Sequence, residues 1–199
     1  MDKLKKKYLF LFIIVIAGII IGVIFSNILN TEDEKLVYTK ITTYFNNLKD
    51  DIPINYISNL ITNIKNNLIT IFIIWIFGLS IIGLLLNNFI LFFKGFILGF
   101  TLGSIINIYL YSGIILSFVY LFPATLFNIL LFLITSYYAN TFSLKIFDII
   151  FRKKDYKFGL LIKKYSKLLC VFIILLIISS IYETFITPFF IKLFTFLIK

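Results

Sequence analysis

Residues 89–136 read FILFFKGFILGFTLGSIINIYL, then YSG at 111–113, then IILSFVYLFPATLFNILLFLITS. Both long runs match the roughly 20 apolar residues that cross a hydrocarbon core of about 30 Å. Lys94 is the one charged residue in the whole stretch. A water-soluble domain has no means of burying two such neighbouring runs, so the reading is two membrane-spanning helices, 89–110 and 114–136, joined by the very short turn Tyr111–Gly113. Upstream, Asn87 and Asn88 supply another short turn, which places a preceding span at 68–86. Further runs at 8–29 and 168–190 bring the expected number to five.

The expected fold class is therefore all-α: one polytopic membrane bundle over residues 1–199, with a helical outer loop at 30–67 and a basic inner loop at 145–167. Composition agrees, since 61% of the 199 residues are hydrophobic and the mean hydropathy is +1.05, outside the range of soluble domains. The first run follows Lys3, Lys5, Lys6 and Lys7 but is too long for a signal peptide and lacks a small-residue cleavage site, so it reads as a retained span. Thirteen Lys and Arg residues against three acids fall on the N-terminal side, with Lys94 counted among them, and six against six on the other. The positive-inside rule then puts the N-terminus in the cytoplasm and the C-terminus outside. The formal charge of +10 flanks apolar spans, so it reports orientation in the bilayer and not a nucleic-acid partner.

The chemistry-bearing residues are few. Histidine is absent, Cys170 is the single cysteine and the nine acids are scattered, so no zinc set, Cys–His couple or carboxylate pair can be assembled. No enzymatic activity, metal or cofactor is expected. Gly95, Gly99 and Gly103 recur every four residues and form a nearly flat stripe; Gly18, Gly22 and Ser26 form another, and Gly78 and Gly83 thin the second span. Such stripes let helices approach closely, within the chain, between two copies in a homodimer, or against a partner helix. Pro123 removes a backbone donor and predicts a kink in the fourth span.

Glu183, about 15 residues into the fifth span and so roughly 22 Å from its inner end, is the acid inside the membrane. Such a residue is a functional candidate. Lys65 is the expected counter-ion, with Lys94 placed near the opposite surface. In the outer loop, Thr31-x-x-Glu34 predicts a capping box. Leu36, Ile41, Tyr44, Phe45 and Leu48 keep helical spacing up to Pro53, and a second patterned stretch from Tyr56 leads into the next span. These helices either cover the bundle or offer a face to an extracytoplasmic partner. The inner loop, with bases interleaved among Phe147, Phe151, Tyr156, Phe158 and Tyr165, suits anionic head groups. Phe189–Ile198 either extends the last span or lies along the outer surface.

Several motifs taken in order, Asn63-Ile-Lys-Asn-Asn-Leu, Gly78-Leu-Ser-Ile-Ile-Gly83, Lys94-Gly95-x-x-x-Gly99, Phe122-Pro123 and Glu183-x-x-x-Thr187-Pro188, resemble the stage II sporulation protein M family over nearly the whole chain. Many broader relatives follow the fourth-span proline with His-Gly and a later Glu; this chain has Ala124, Thr125 and Asn128, which looks closer to the sporulation branch. The resemblance implies a multi-pass protein of the bacterial cytoplasmic membrane, at the septal or engulfing membrane during endospore formation. There it would anchor two peptidoglycan-degrading partners, stage II sporulation proteins P and D, which would supply the chemistry. It also brings Pro188 beside Pro123 and Glu183 as a structural or functional candidate. The rival reading is a small transporter or its membrane subunit, for which the spans offer Ser80, Thr101, Ser104, Asn128, Ser179 and Glu183.

Overall fold

The computed structural model describes residues 2–50, 55–153 and 155–194. Among these every regular element is helical: α1 (Asp2–Ser26), α2 (Thr31–Lys49), α3 (Tyr56–Gly78), α4 (Gly83–Tyr120), a π turn (Leu121–Thr125), α5 (Leu126–Arg152) and α6 (Phe158–Phe194). Five of them, all but α2, are long and apolar enough to cross a membrane. Most large apolar side chains on their outer faces are exposed, Phe89, Ile97 and Ile174 among them. That is the pattern expected where lipid replaces water as the solvent.

Leu110 divides α4. It holds φ 50 and ψ −123, a conformation that breaks the helix, and the chain doubles back. Ser117 Oγ donates to the Leu102 carbonyl at 3.3 Å, although fifteen residues of straight helix would separate them by about 22 Å. Residues 111–120, the π turn and α5 thus form one leg, antiparallel to 83–109. The π turn is the local consequence of Pro123, which has no N–H to give to the Val119 carbonyl. Thr125 Oγ1 reaches back to the Tyr120 carbonyl at 3.2 Å and satisfies an acceptor in the widened turn.

The span boundaries differ from those read in the sequence. The turn between the second and third spans is at residues 79–82, not at Asn87–Asn88, so the second span is α3 (Tyr56–Gly78) in place of 68–86. Hydropathy marks the most apolar window, whereas α3 begins in a polar stretch that packs on α6. Asn87 and Asn88 lie inside α4, where Asn87 Nδ2 donates to Asn140 Oδ1 at 3.4 Å and Asn140 Nδ2 donates to Asn88 Oδ1 at 2.7 Å. Asparagines that punctuate turns elsewhere here tie two helices together.

Further differences are smaller. Asn30, not Thr31, caps α2: its side chain accepts from the Asp33 N–H at 2.8 Å. Helix α6 continues beyond 190 as far as Phe194, so Phe189–Phe194 extends the last span. The interruption assigned to Pro53 lies outside the described residues.

Helices α1 and α4 run side by side in the same direction, and their small residues face one another. A Cβ built on Gly18 or Gly22 would strike the backbone at Phe92 and Phe96 of α4, and one on Gly95 or Gly99 would strike Val15 and Ile19 of α1. At Gly103 the obstacle is Ser26. The two backbones touch along three turns. Gly78 is covered by the Tyr165 hydroxyl and Ala139, and a Cβ on Gly83 would collide with the Phe77 carbonyl across the 79–82 turn. Among these seven glycines, each is closed off by the chain's own backbone or side chains.

Candidate functional site

Two polar layers cross the bundle at different depths. The first, near the end that carries Lys5–Lys7 and the 79–82 turn, is structural in its bonding. Ser143 Oγ donates to the Ser80 carbonyl at 2.6 Å, the Tyr165 hydroxyl donates to the Trp75 carbonyl at 3.1 Å, and the Asn87–Asn140–Asn88 chain completes it. Turn carbonyls and helix ends that lipid could not satisfy are satisfied by side chains.

The second layer is built around α6. Asn63 Nδ2 donates to Thr184 Oγ1 at 3.2 Å and Asn67 Nδ2 to Ser180 Oγ at 3.1 Å. These two rungs, one helical turn apart, pin α3 against α6 in antiparallel register. Glu183 stands beside the first rung, about 10 Å in from the outer end of α3 at 1.5 Å per residue. Asn128 Nδ2 donates to its Oε2 at 3.0 Å. Asn128 is itself buried, at 7% exposure, so α5 supplies the carboxylate with a fixed amide in place of water.

Lys65 is not the counter-ion: it is exposed, and Glu183 makes no ion pair among the described residues. The base within electrostatic reach is Lys94. Its ammonium lies 5.0 Å from the centre of the Phe132 ring, one turn along α5 from Asn128. The expected position of Lys94 near the inner surface followed from starting the span at Phe89. Because α4 starts at Gly83, Lys94 is eleven residues into the helix, about 16 Å along its axis, and it leaves the cytoplasmic charge tally.

Above Glu183 a recess of about 420 Å³ opens between α2, α3, α4 and α6. Its floor carries Glu183, Thr184, Thr187 and Pro188, and its mouth carries Lys40 and Tyr44 of α2. Helix α2 is held over it by Phe45, 2% exposed, whose ring meets that of Tyr109 edge-on at 5.4 Å. The Tyr44 phenol is pushed up to about 12, chiefly by burial of its hydroxyl, with the Tyr120 and Glu183 fields adding to the shift. Pro123 belongs to the π turn that brings Thr125 to the same recess, and Pro188 interrupts the hydrogen bonding of α6 there.

Asn63 and Tyr44 were not singled out as site residues by the sequence, and Asn128 entered only among the dispersed polar residues of the transporter reading. The signal available was the polar character of Asn128 inside an apolar run, opposite no charge in its own helix. Among the described residues no group of three or more His, Cys, Asp or Glu could hold a metal ion.

The architecture defines a class: a polytopic helical membrane protein whose polar residues serve helix pairing and a recess at the end of the bundle that α2 covers. The family model for stage II sporulation protein M matches residues 11–188. The chain therefore belongs to the stage II sporulation protein M family, a sporulation-related membrane protein family that is in general non-catalytic. No curated protein and no solved structure matches the chain.

Proposed function

We propose that the protein is a non-enzymatic membrane anchor that localises peptidoglycan-degrading partners, of the kind represented by stage II sporulation proteins P and D, at the septal or engulfing membrane during endospore formation. The observation that carries this reading is the family match over residues 11–188. The distribution of surfaces supports it. The glycine stripes are occupied within the chain, which leaves α2 and the outer half of α3 as the polar faces free to meet an extracytoplasmic protein. Tyr38 and Ile57 are exposed there. No second copy of the chain is required to cover the stripes.

The test is affinity purification of the tagged protein in mild detergent from sporulating cells, with a non-sporulating culture as control. Specific recovery of peptidoglycan hydrolases, lost when the exposed residues of α2 are replaced, is the expected result. Intact engulfment after deletion of the protein would overturn the reading. One observation favours the transporter alternative, namely a polar recess that ends on an intramembrane carboxylate. Solute flux into liposomes that depends on Glu183 would identify that function instead.

A further inference from the structure

The recess over Glu183 has a donor and acceptor balance that specifies what it can hold. Among the described residues Glu183 receives one hydrogen bond, from Asn128 to Oε2, and a carboxylate can accept about four. Thr187, 5% exposed, lines the recess with its Oγ1 buried and without a partner. Pro188 has no N–H, so the Thr184 carbonyl on the same helix face lacks its usual helical donor. The carboxyl group, the unpartnered hydroxyl and the carbonyl without its helical donor thus belong to residues that line the recess, and a buried acceptor left without a donor is unfavourable by about 1–3 kcal/mol.

Tyr44 and Tyr120 also line the recess, and aromatic rings attract cations. A divalent metal ion is a poor match, because one carboxylate supplies too little charge and too few oxygen ligands. The recess is also much larger than a bare ion.

We propose that this recess binds an organic ammonium group that reaches in from the outer face, its nitrogen donating to Glu183, Thr187 Oγ1 and the Thr184 carbonyl. A primary ammonium offers three donors for these three acceptors. Its carbon stem occupies the rest of the recess below α2. Lys40 at the mouth adds a positive charge at the opposite end, so an amine that also carries an anion, such as the head group of an ethanolamine phospholipid, matches both ends. A lysine side chain matches the floor alone. The inference concerns this chain's own site and stands or falls separately from the anchoring of hydrolases.

The experiment uses the full chain in nanodiscs of phosphatidylcholine and phosphatidylglycerol, which contain no primary amine. The thermal unfolding midpoint is followed against n-butylammonium chloride, with sodium chloride and tetramethylammonium chloride at equal ionic strength. A saturable upward shift with butylammonium alone is expected. Glu183→Gln should weaken the apparent affinity by about tenfold or more, as the loss of a charged hydrogen bond implies, and Thr187→Val should weaken it while keeping the buried volume.

A butylammonium shift no larger than that of sodium chloride, or one unchanged in both variants, would overturn the proposal. Should the Glu183 variant fail to fold, Thr187→Val decides. Native mass spectrometry then separates the sources. One retained phosphatidylethanolamine, lost in Lys40→Gln, assigns the lipid; no preference over phosphatidylcholine, with the butylammonium shift intact, assigns a side-chain amine. Either result supports the ammonium site.

Discussion

Replacing Gly99 by alanine tests whether α1 and α4 are held at backbone contact. A Cβ built on Gly99 lies 2.7 Å from both Cα and C of Ile19, whereas ordinary contacts of a Cβ begin at 3.4 Å. The helices must therefore part by about 1 Å at this level, a displacement that forfeits a quarter to a half of each dispersion contact along the seam. Overpacking of this kind costs about 1–3 kcal/mol.

Alanine also favours the helix over glycine by about 1 kcal/mol, so the net destabilisation expected is about 0–2 kcal/mol against the unsubstituted protein, and about 1–3 kcal/mol against an alanine placed where no contact opposes it. In a membrane no hydrophobic drive compensates for lost packing between helices. The assay is unfolding of the detergent-solubilised protein by graded denaturing detergent, followed by circular dichroism. Gly159→Ala is the internal control, because a Cβ there meets nothing within 4 Å, and it should be neutral or slightly stabilising. A Gly99→Ala protein as stable as the Gly159→Ala protein would refute the close-contact seam.

Leu110→Gly should raise stability by about 1 kcal/mol in the same assay, since φ 50 with ψ −123 strains any side chain with a Cβ; no gain would place the turn elsewhere. Asn140→Ala should lower it by about 1–2 kcal/mol, because Asn87 and Asn88 of α4 lose their partner inside the membrane; an unchanged midpoint would mean that lipid head groups or water reach this layer. The Tyr44 phenol, whose pKa stands at about 12 instead of 10.0, holds its proton more tightly in the folded state. Its contribution is fully present below pH 10 and is lost as the pH rises through about 12. Tyr44→Phe should therefore flatten the alkaline decline of stability between those values, measured as the unfolding midpoint against pH, and an identical decline in both proteins would remove Tyr44 from the recess.

Five membrane-crossing helices were legible because each carries an apolar run that no soluble fold could hide. Their limits were less so. The helical pattern from Tyr56 into the span was legible and is the start of α3, but Asn59, Thr62 and Asn63, which a hydropathy window leaves outside the span, face α6 or the recess. Asn87 and Asn88 carry the composition of a turn, and only the pairing with Asn140, fifty-two and fifty-three residues away, reveals them as an interhelical clasp. The four-residue spacing of Gly95, Gly99 and Gly103 is visible in the chain, whereas the identity of the opposing helix is not. The pairing of Asn128 with Glu183 was equally opaque. In a chain rich in asparagine one more carries little weight, and its meaning comes from Glu183 on another helix.

The side-by-side alignment of α1 and α4 has a consequence for synthesis. Gly95 follows Gly18 by 77 positions, so α1 enters the bilayer well before the helix that covers its glycines exists. It is the most apolar of the five candidate spans, and so can wait alone in lipid. Helix α5, the least apolar, emerges only after α4 and can leave the insertion machinery with its hairpin partner already beside it. The order of the spans along the chain thus places the self-sufficient helix first and the dependent one where a companion has just been made.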